Sequence, residues 1–143
     1  MKDFVTYEQA LELKELGFDE PCILLYRGLD TQPDCQMGYE FKTEKNSDYN
    51  DATNYWLTVP TYSQSFRWFR EKHNWQHSIE PTADQHSHQL GYNYWIWNYK
   101  TKEEYHTMPK NRPSGDWEYK TYEEAEQACL DKLIEICKNK TNE

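Results

Sequence analysis

The sequence predicts an α+β fold, three helices packed on a small, mainly antiparallel sheet. Three observations carry that expectation. Three Thr-x-x-Glu/Gln boxes each open a segment with apolar residues at helical spacing. Short apolar or alternating runs of strand length lie between them. A length of 143 residues fits one domain, and residues 1–143 are read as a single domain.

The elements follow in order. Thr6-Tyr7-Glu8-Gln9 opens a helix expected over Tyr7–Leu16, with Gly17 as the left-handed residue that stops it. Cys22 to Tyr26, after Pro21, is too short for a helix and reads as a buried strand. Tyr39–Lys42 and Tyr55–Val59 add strands on either side of a polar loop near 43–54, expected to be mobile. Thr61-Tyr62-Ser63-Gln64 starts a second helix running to about His73, where Lys72 and His73 suit the negative end of the helix dipole. Trp75, His77 and Ile79 alternate with Gln76, Ser78 and Glu80, a half-buried strand that Pro81 is expected to close. Tyr92 to Tyr99 is aromatic or apolar on both faces and reads as the central strand of the sheet. A second mobile loop is expected near 109–115. Thr121-Tyr122-Glu123-Glu124 opens the longest helix, with Tyr122, Ala125, Cys129, Leu133 and Ile136 in one stripe.

Composition sets limits on this picture. Leu, Ile, Val and Phe number only 22, which with a net charge of −9 points toward disorder. Twelve Tyr and six Trp point the other way, because each ring buries on the order of 150–250 Å² and replaces the missing aliphatic area. No apolar run approaches the ~20 residues of a membrane-spanning helix. The first residues hold no apolar stretch of the secretory type. Cys22, Cys35, Cys129 and Cys137 show no C-x-x-C spacing and read as reduced thiols of a cytoplasmic protein.

Charge is uneven along the chain. Residues 1–60 carry −7, residues 61–112 carry +2 and residues 113–143 carry −4. The basic middle holds all five histidines and four of the six tryptophans. His86-Ser87-His88 resembles a metal tract, but no H-E-x-x-H or H-x-x-E-H spacing accompanies it, so no metal and no cofactor is assigned. No G-x-S-x-G elbow occurs, and the five glycines are isolated, which removes phosphate-cradling loops. No catalytic residue is assigned.

Two segments remain as candidate binding residues. On the second helix, Phe66 and Phe69 share a face with Tyr62, Arg67, Arg70 and Lys72 spread over the rest, and Trp68 has no obvious place in the stripe. Arg67, Trp68, Arg70 and His73 are the candidate binding residues here. They read either as a solvated face with one amphipathic Trp or as a cationic, aromatic patch for an anionic, ring-bearing ligand. On the Tyr92–Tyr99 strand, one face shows Tyr92, Tyr94 and Ile96 and the other Trp95, Trp97 and Tyr99. A sheet covered on one side only would expose an aromatic face, and such faces mark binding surfaces. Cover by N-terminal segments is the competing reading.

The runs Phe4-Val-Thr-Tyr-Glu-Gln-Ala10 with Leu13-Lys-Glu-Leu-Gly-Phe-Asp-Glu-Pro-Cys22, Pro60-Thr-Tyr-Ser-Gln64 with Phe66-Arg-Trp-Phe-Arg-Glu-Lys-His73, and Thr121 to Ile136 resemble a family of small bacteriophage and prophage proteins. The resemblance spans about half the chain. It implies a genomic setting and no mechanism, and it carries over no catalytic residues.

The expected function is therefore that of a non-enzymatic accessory protein of a phage or prophage, cytoplasmic in the host cell, acting by binding a host or phage protein. One alternative is a nucleotide-like small-ligand binder using Arg67, Trp68, Arg70, Trp95 and Trp97. A second is a hydrolase assembled from histidines and carboxylates distant in sequence. Duplex nucleic acid is not expected as a partner, because no basic stripe exists, and no membrane partner is expected. A homodimer through Tyr92–Tyr99 is favoured over a monomer.

Overall fold

A computed structural model describes residues 2–27, 34–37, 43–49, 56–84, 86–107 and 117–142. The elements run α1 (Tyr7–Glu15), β1 (Leu24–Arg27), β2 (Asp34–Met37), a short 3-10 turn (Asn46–Tyr49), β3 (Trp56–Val59), α2 (Tyr62–His73), β4 (Trp75–Ala83), β5 (Leu90–Asn98), β6 (Glu104–His106) and α3 (Tyr122–Thr141). The fold is α+β with antiparallel pairing throughout. Its strands divide between two three-stranded sheets, ordered β2-β1-β3 and β4-β5-β6. The chain read as one domain gathers into two compact units, Met1–Ser65 and Phe66–Glu143, with the boundary inside α2.

In the first unit, local chemistry sets the ends of α1. Thr6 accepts from the Gln9 amide at 3.2 Å, and Gln9 Oε1 accepts from the Thr6 amide at 3.0 Å, a complete capping box. At the other end, Phe18 N–H reaches Leu13 C=O and Gly17 N–H reaches Lys14 C=O, with Gly17 at φ +96°. This is a Schellman closure, and it needs the left-handed residue that Gly supplies without a Cβ clash. Gln9 is buried and also accepts from the Tyr62 hydroxyl at 3.0 Å. Leu24 and Leu25 of β1, with Leu57 and Val59 of β3, contribute to the core.

The polar stretch expected to be mobile near 43–54 is pinned where it is described. Glu44 and Cys22 exchange two backbone bonds. Asn46, buried, donates to Phe18 C=O and accepts from the Thr58 amide, each at 3.0 Å. Residues 50–54, the loop at 109–115 and the strand expected over Tyr39–Lys42 lie outside the described residues. β2 and β6 had no counterpart in the sequence reading.

In the second unit, β4 and β5 form a hairpin with Trp75 opposite Asn98 and Ala83 opposite Leu90. β5 is the central strand, as its composition predicts, with β6 on its far side. Pro81 does not close β4, which continues to Ala83. Its position faces the free edge, where a missing N–H costs no ladder bond. α3 packs on β4 and β5, burying Ala125, Cys129, Leu133 and Ile136 of the expected stripe together with Leu130, Ile134 and Cys137. Tyr122 stays exposed at the stripe's end, edge-on to Tyr92.

Cys22, Cys129 and Cys137 are free and buried. Burial pushes the Cys22 thiol up to about 12 and Cys137 to about 11, and raises Cys129 as well.

Candidate functional site

The register of the second sheet sorts its side chains by face. Directly paired residues share a side, so Trp75, His77, Ile79, Tyr92, Tyr94, Ile96, Asn98 and Tyr105 point one way. This inner face meets α3. Ile96 is fully buried there, and Tyr94 is held far above the usual phenol range by burial, with Tyr119, Cys129 and the α3 carboxylates Glu135 and Asp131 adding to it. Gln76, Ser78, Glu80, Thr82, Asn93, Trp95, Trp97, Glu104 and His106 point to the outer face.

The outer face is the candidate binding surface. Trp95 and Trp97 lie two residues apart, their rings 4.8 Å between centroids and tilted by 41°. Trp95 is 37% exposed and Tyr99 is 52% exposed. Tyr99 donates its hydroxyl to Asn74 Oδ1 at 3.1 Å, which fixes the ring at the rim. Asn74, the residue that follows α2, adopts φ +61°, so the same residue turns the backbone out of the helix and holds the aromatic rim with its side chain. Small Ser78 stands opposite Trp95 on β4, and His106 stands opposite it on β6, leaving the indole between short or polar neighbours.

At its other end this face is closed. Gly91 sits under the Trp117 ring, so near that a Cβ there would lie 2.0 Å from Trp117 Cδ2. Buried Asn93 accepts from the Thr107 hydroxyl and the Glu118 amide, both at 3.1 Å, and donates to Thr82 at 3.3 Å. Sequence reasoning missed Asn93, Gly91 and Trp117. A polar residue inside an aromatic strand and an isolated glycine were the available signals.

The six predicted binding residues do not form one site. Trp68 is buried at 4% exposure, edge-on to Phe69 and His73 at 5.0 and 4.7 Å. The reason is the width of α2's buried arc, which takes in Tyr62, Ser65, Phe66, Trp68 and Phe69 and not the narrow stripe through Tyr62, Phe66 and Phe69 alone. Neither an amphipathic surface Trp nor a stacking platform describes it. Arg67 is exposed, Arg70 and His73 are half-buried. α2 meets the sheet where Phe66 stacks flat on His77 at 3.7 Å, on the inner face, with Arg70 close enough to depress the His77 pKa. Trp95 and Trp97 are therefore brought together with each other but not with the α2 residues.

The histidines are dispersed as well. His73 and His77 belong to the α2–β4 inner side, His86 and His88 to the β4–β5 turn, and His106 to the outer face. Among the described residues no group of three His, Cys, Asp or Glu is placed to hold a metal ion. A groove of about 480 Å³ lies between β6 and α3. Its lysines are already engaged: Lys132 pairs with Glu135 and lies over Tyr105, and Lys140 pairs with Glu103 and lies over Trp75. The groove presents balanced charge to a ligand.

No family model, curated protein or solved structure matches this chain. Among the described residues, no helix is long and apolar enough to cross a membrane.

Proposed function

We propose that this chain is a non-enzymatic accessory protein of a phage or prophage, acting in the host cytoplasm by binding a protein partner. The observation that carries the reading is the outer face of the second sheet, where paired Trp95 and Trp97 and the rim residue Tyr99 leave ring surface exposed. Exposed indole and phenol groups at a flat, partly polar surface are the side chains that dominate protein interfaces. The genomic setting rests on the sequence resemblance.

The nucleotide-like alternative has less support. It needs cations beside exposed rings, yet the α2 arginines belong to a helix that meets the opposite face, and Glu104 stands across from Trp97. A carboxylate beside the indole repels a phosphate.

Affinity capture from host lysate tests the reading. Tagged parent protein should retain a partner at both low and high salt, and a Trp95→Ser/Tyr99→Ser variant with unchanged circular dichroism should lose it. Capture of the same proteins by parent and variant, or stabilisation by a nucleotide in a thermal-shift panel, would refute it.

A further inference from the structure

Among the described residues no strand pairs with the outer edge of β4, whose backbone pattern follows from the bonds on the other side of β5. Tyr92 exchanges both backbone bonds with Tyr119, at 2.8 and 3.1 Å. Thr107 N–H reaches Tyr94 C=O, and Asn98 N–H reaches Glu103 C=O. The even-numbered residues of β5 therefore turn their amide groups toward the β6 side. Antiparallel alternation then assigns the β4–β5 bonds to Gly91–Thr82, Asn93–Glu80, Trp95–Ser78 and Trp97–Gln76. His77 and Ile79 are left aiming N–H and C=O away from the sheet, with no backbone partner among the described residues. Pro81 occupies the next outward position and offers only its carbonyl. Open edges of this kind are templates for another strand.

We propose that this edge pairs with the same edge of a second copy of the chain, antiparallel about a two-fold axis, with His77 of each copy opposite Ile79 of the other. This register joins two outward residues near the middle of the strand that each keep N–H and C=O, giving four reciprocal backbone bonds between them. It sets Ser78 against Ser78 on the axis and Gln76 against Glu80. Pro81, which lacks an N–H, then falls opposite Trp75 toward the end of the ladder, whereas centring the pair on Ile79 brings it opposite His77, next to the axis. Sliding one step further opposes Glu80 to Glu80, two carboxylates in direct cross-strand contact. His77 adds no charge near neutral pH, because burial and Arg70 depress its pKa to about 4.

The long-range charge also favours this unit as the contact. Residues 66–143 hold 11 basic and 13 acidic side chains, a balance of −2, against −7 for residues 1–65. Pairing would give a six-stranded sheet and set the two outer aromatic faces side by side, with a serine pair between them. It differs from a dimer through Tyr92–Tyr99, since β5 has strands on both sides and could only self-associate face to face.

The test is chemical and register-specific. Opposed residues of a non-hydrogen-bonded antiparallel pair have Cα atoms about 4.5 Å apart, within disulfide range. On a Cys35→Ser background, with the other cysteines buried, Ser78→Cys should form a covalent dimer under mild oxidation and Gln76→Cys should not. Light scattering should give about twice 17.4 kDa for the parent and 17.4 kDa for Ser78→Glu, which brings two carboxylates together at the axis. Circular dichroism of the Glu variant should match the parent. A parent mass of 17.4 kDa at high concentration overturns the proposal. So does a dimer that survives Ser78→Glu, or cross-linking that is no better at position 78 than at 76.

Discussion

Asn46 joins three parts of the first unit through one buried amide. Its Nδ2 satisfies the Phe18 carbonyl just past α1, and its Oδ1 satisfies the Thr58 amide of β3. Asn46→Ala removes both bonds and leaves the buried Thr58 amide without its acceptor, which costs about 1–3 kcal/mol and should lower the urea midpoint without changing its slope. His77 gives a second effect at this scale. Its folded pKa of about 4 lies below the 6.5 of the free side chain, through burial first and the Arg70 charge second. Above pH 6.5 both states are neutral and nothing is lost. As the pH falls below 6.5 the unfolded chain takes up the proton first, so stability declines until the folded pKa is passed. A loss of about 2 kcal/mol between pH 7 and pH 4.5 is expected from this group. His73, also depressed by burial, acts in the same direction. Urea titrations of the parent and of His77→Leu should show the decline flattened in the variant.

At the scale of elements, the helices were legible because their ends are local. Thr6, Thr61 and Thr121 each accept the amide three residues on, at 3.1–3.2 Å. The reciprocal half of the box forms only at Gln9. Gln64 turns instead to the Pro21 carbonyl, and Glu124 to the Lys120 amide. The strand edges were less legible, since Pro81 stops a ladder only if its N–H was needed. Gly91 shows how one element is fitted to another: the 117–120 segment crosses β5 with the Trp117 ring where a Cβ would stand. Gly91→Ala forces that ring away and should destabilise the protein by about 1–3 kcal/mol. The same variant should shift the tryptophan emission toward longer wavelength, as Trp117 gains water.

At the scale of the whole molecule, charge and aromatic surface are distributed unequally. Residues 1–65 carry −7 of the total −9. Self-repulsion of such a segment weakens as salt shortens the screening length from ~30 Å at 0.01 M to ~8 Å at 0.15 M. Thermal midpoints should therefore rise by a few degrees over that range, a shift that corresponds to about 1 kcal/mol for a chain of this size. Differential scanning calorimetry at the two salt concentrations checks it; an unchanged or falling midpoint would mean that repulsion within the acidic half is negligible.

Where the three helices begin, where the first two end, that the strands pair antiparallel, and that Tyr92–Tyr99 is a central strand are all legible in the sequence alone. Caps, left-handed glycine and periodicity act over three or four residues, and a linear pattern contains them. The tertiary structure alone decided that the strands separate into two sheets and that Trp68 is enclosed. It also decided which face of β5 meets α3. Alternation says that Tyr94 and Trp95 point oppositely, but both faces are aromatic, so hydrophobicity gives no preference between them. The choice was made by α3, whose buried stripe packs against Ile96 and Tyr94 and leaves Trp95 exposed.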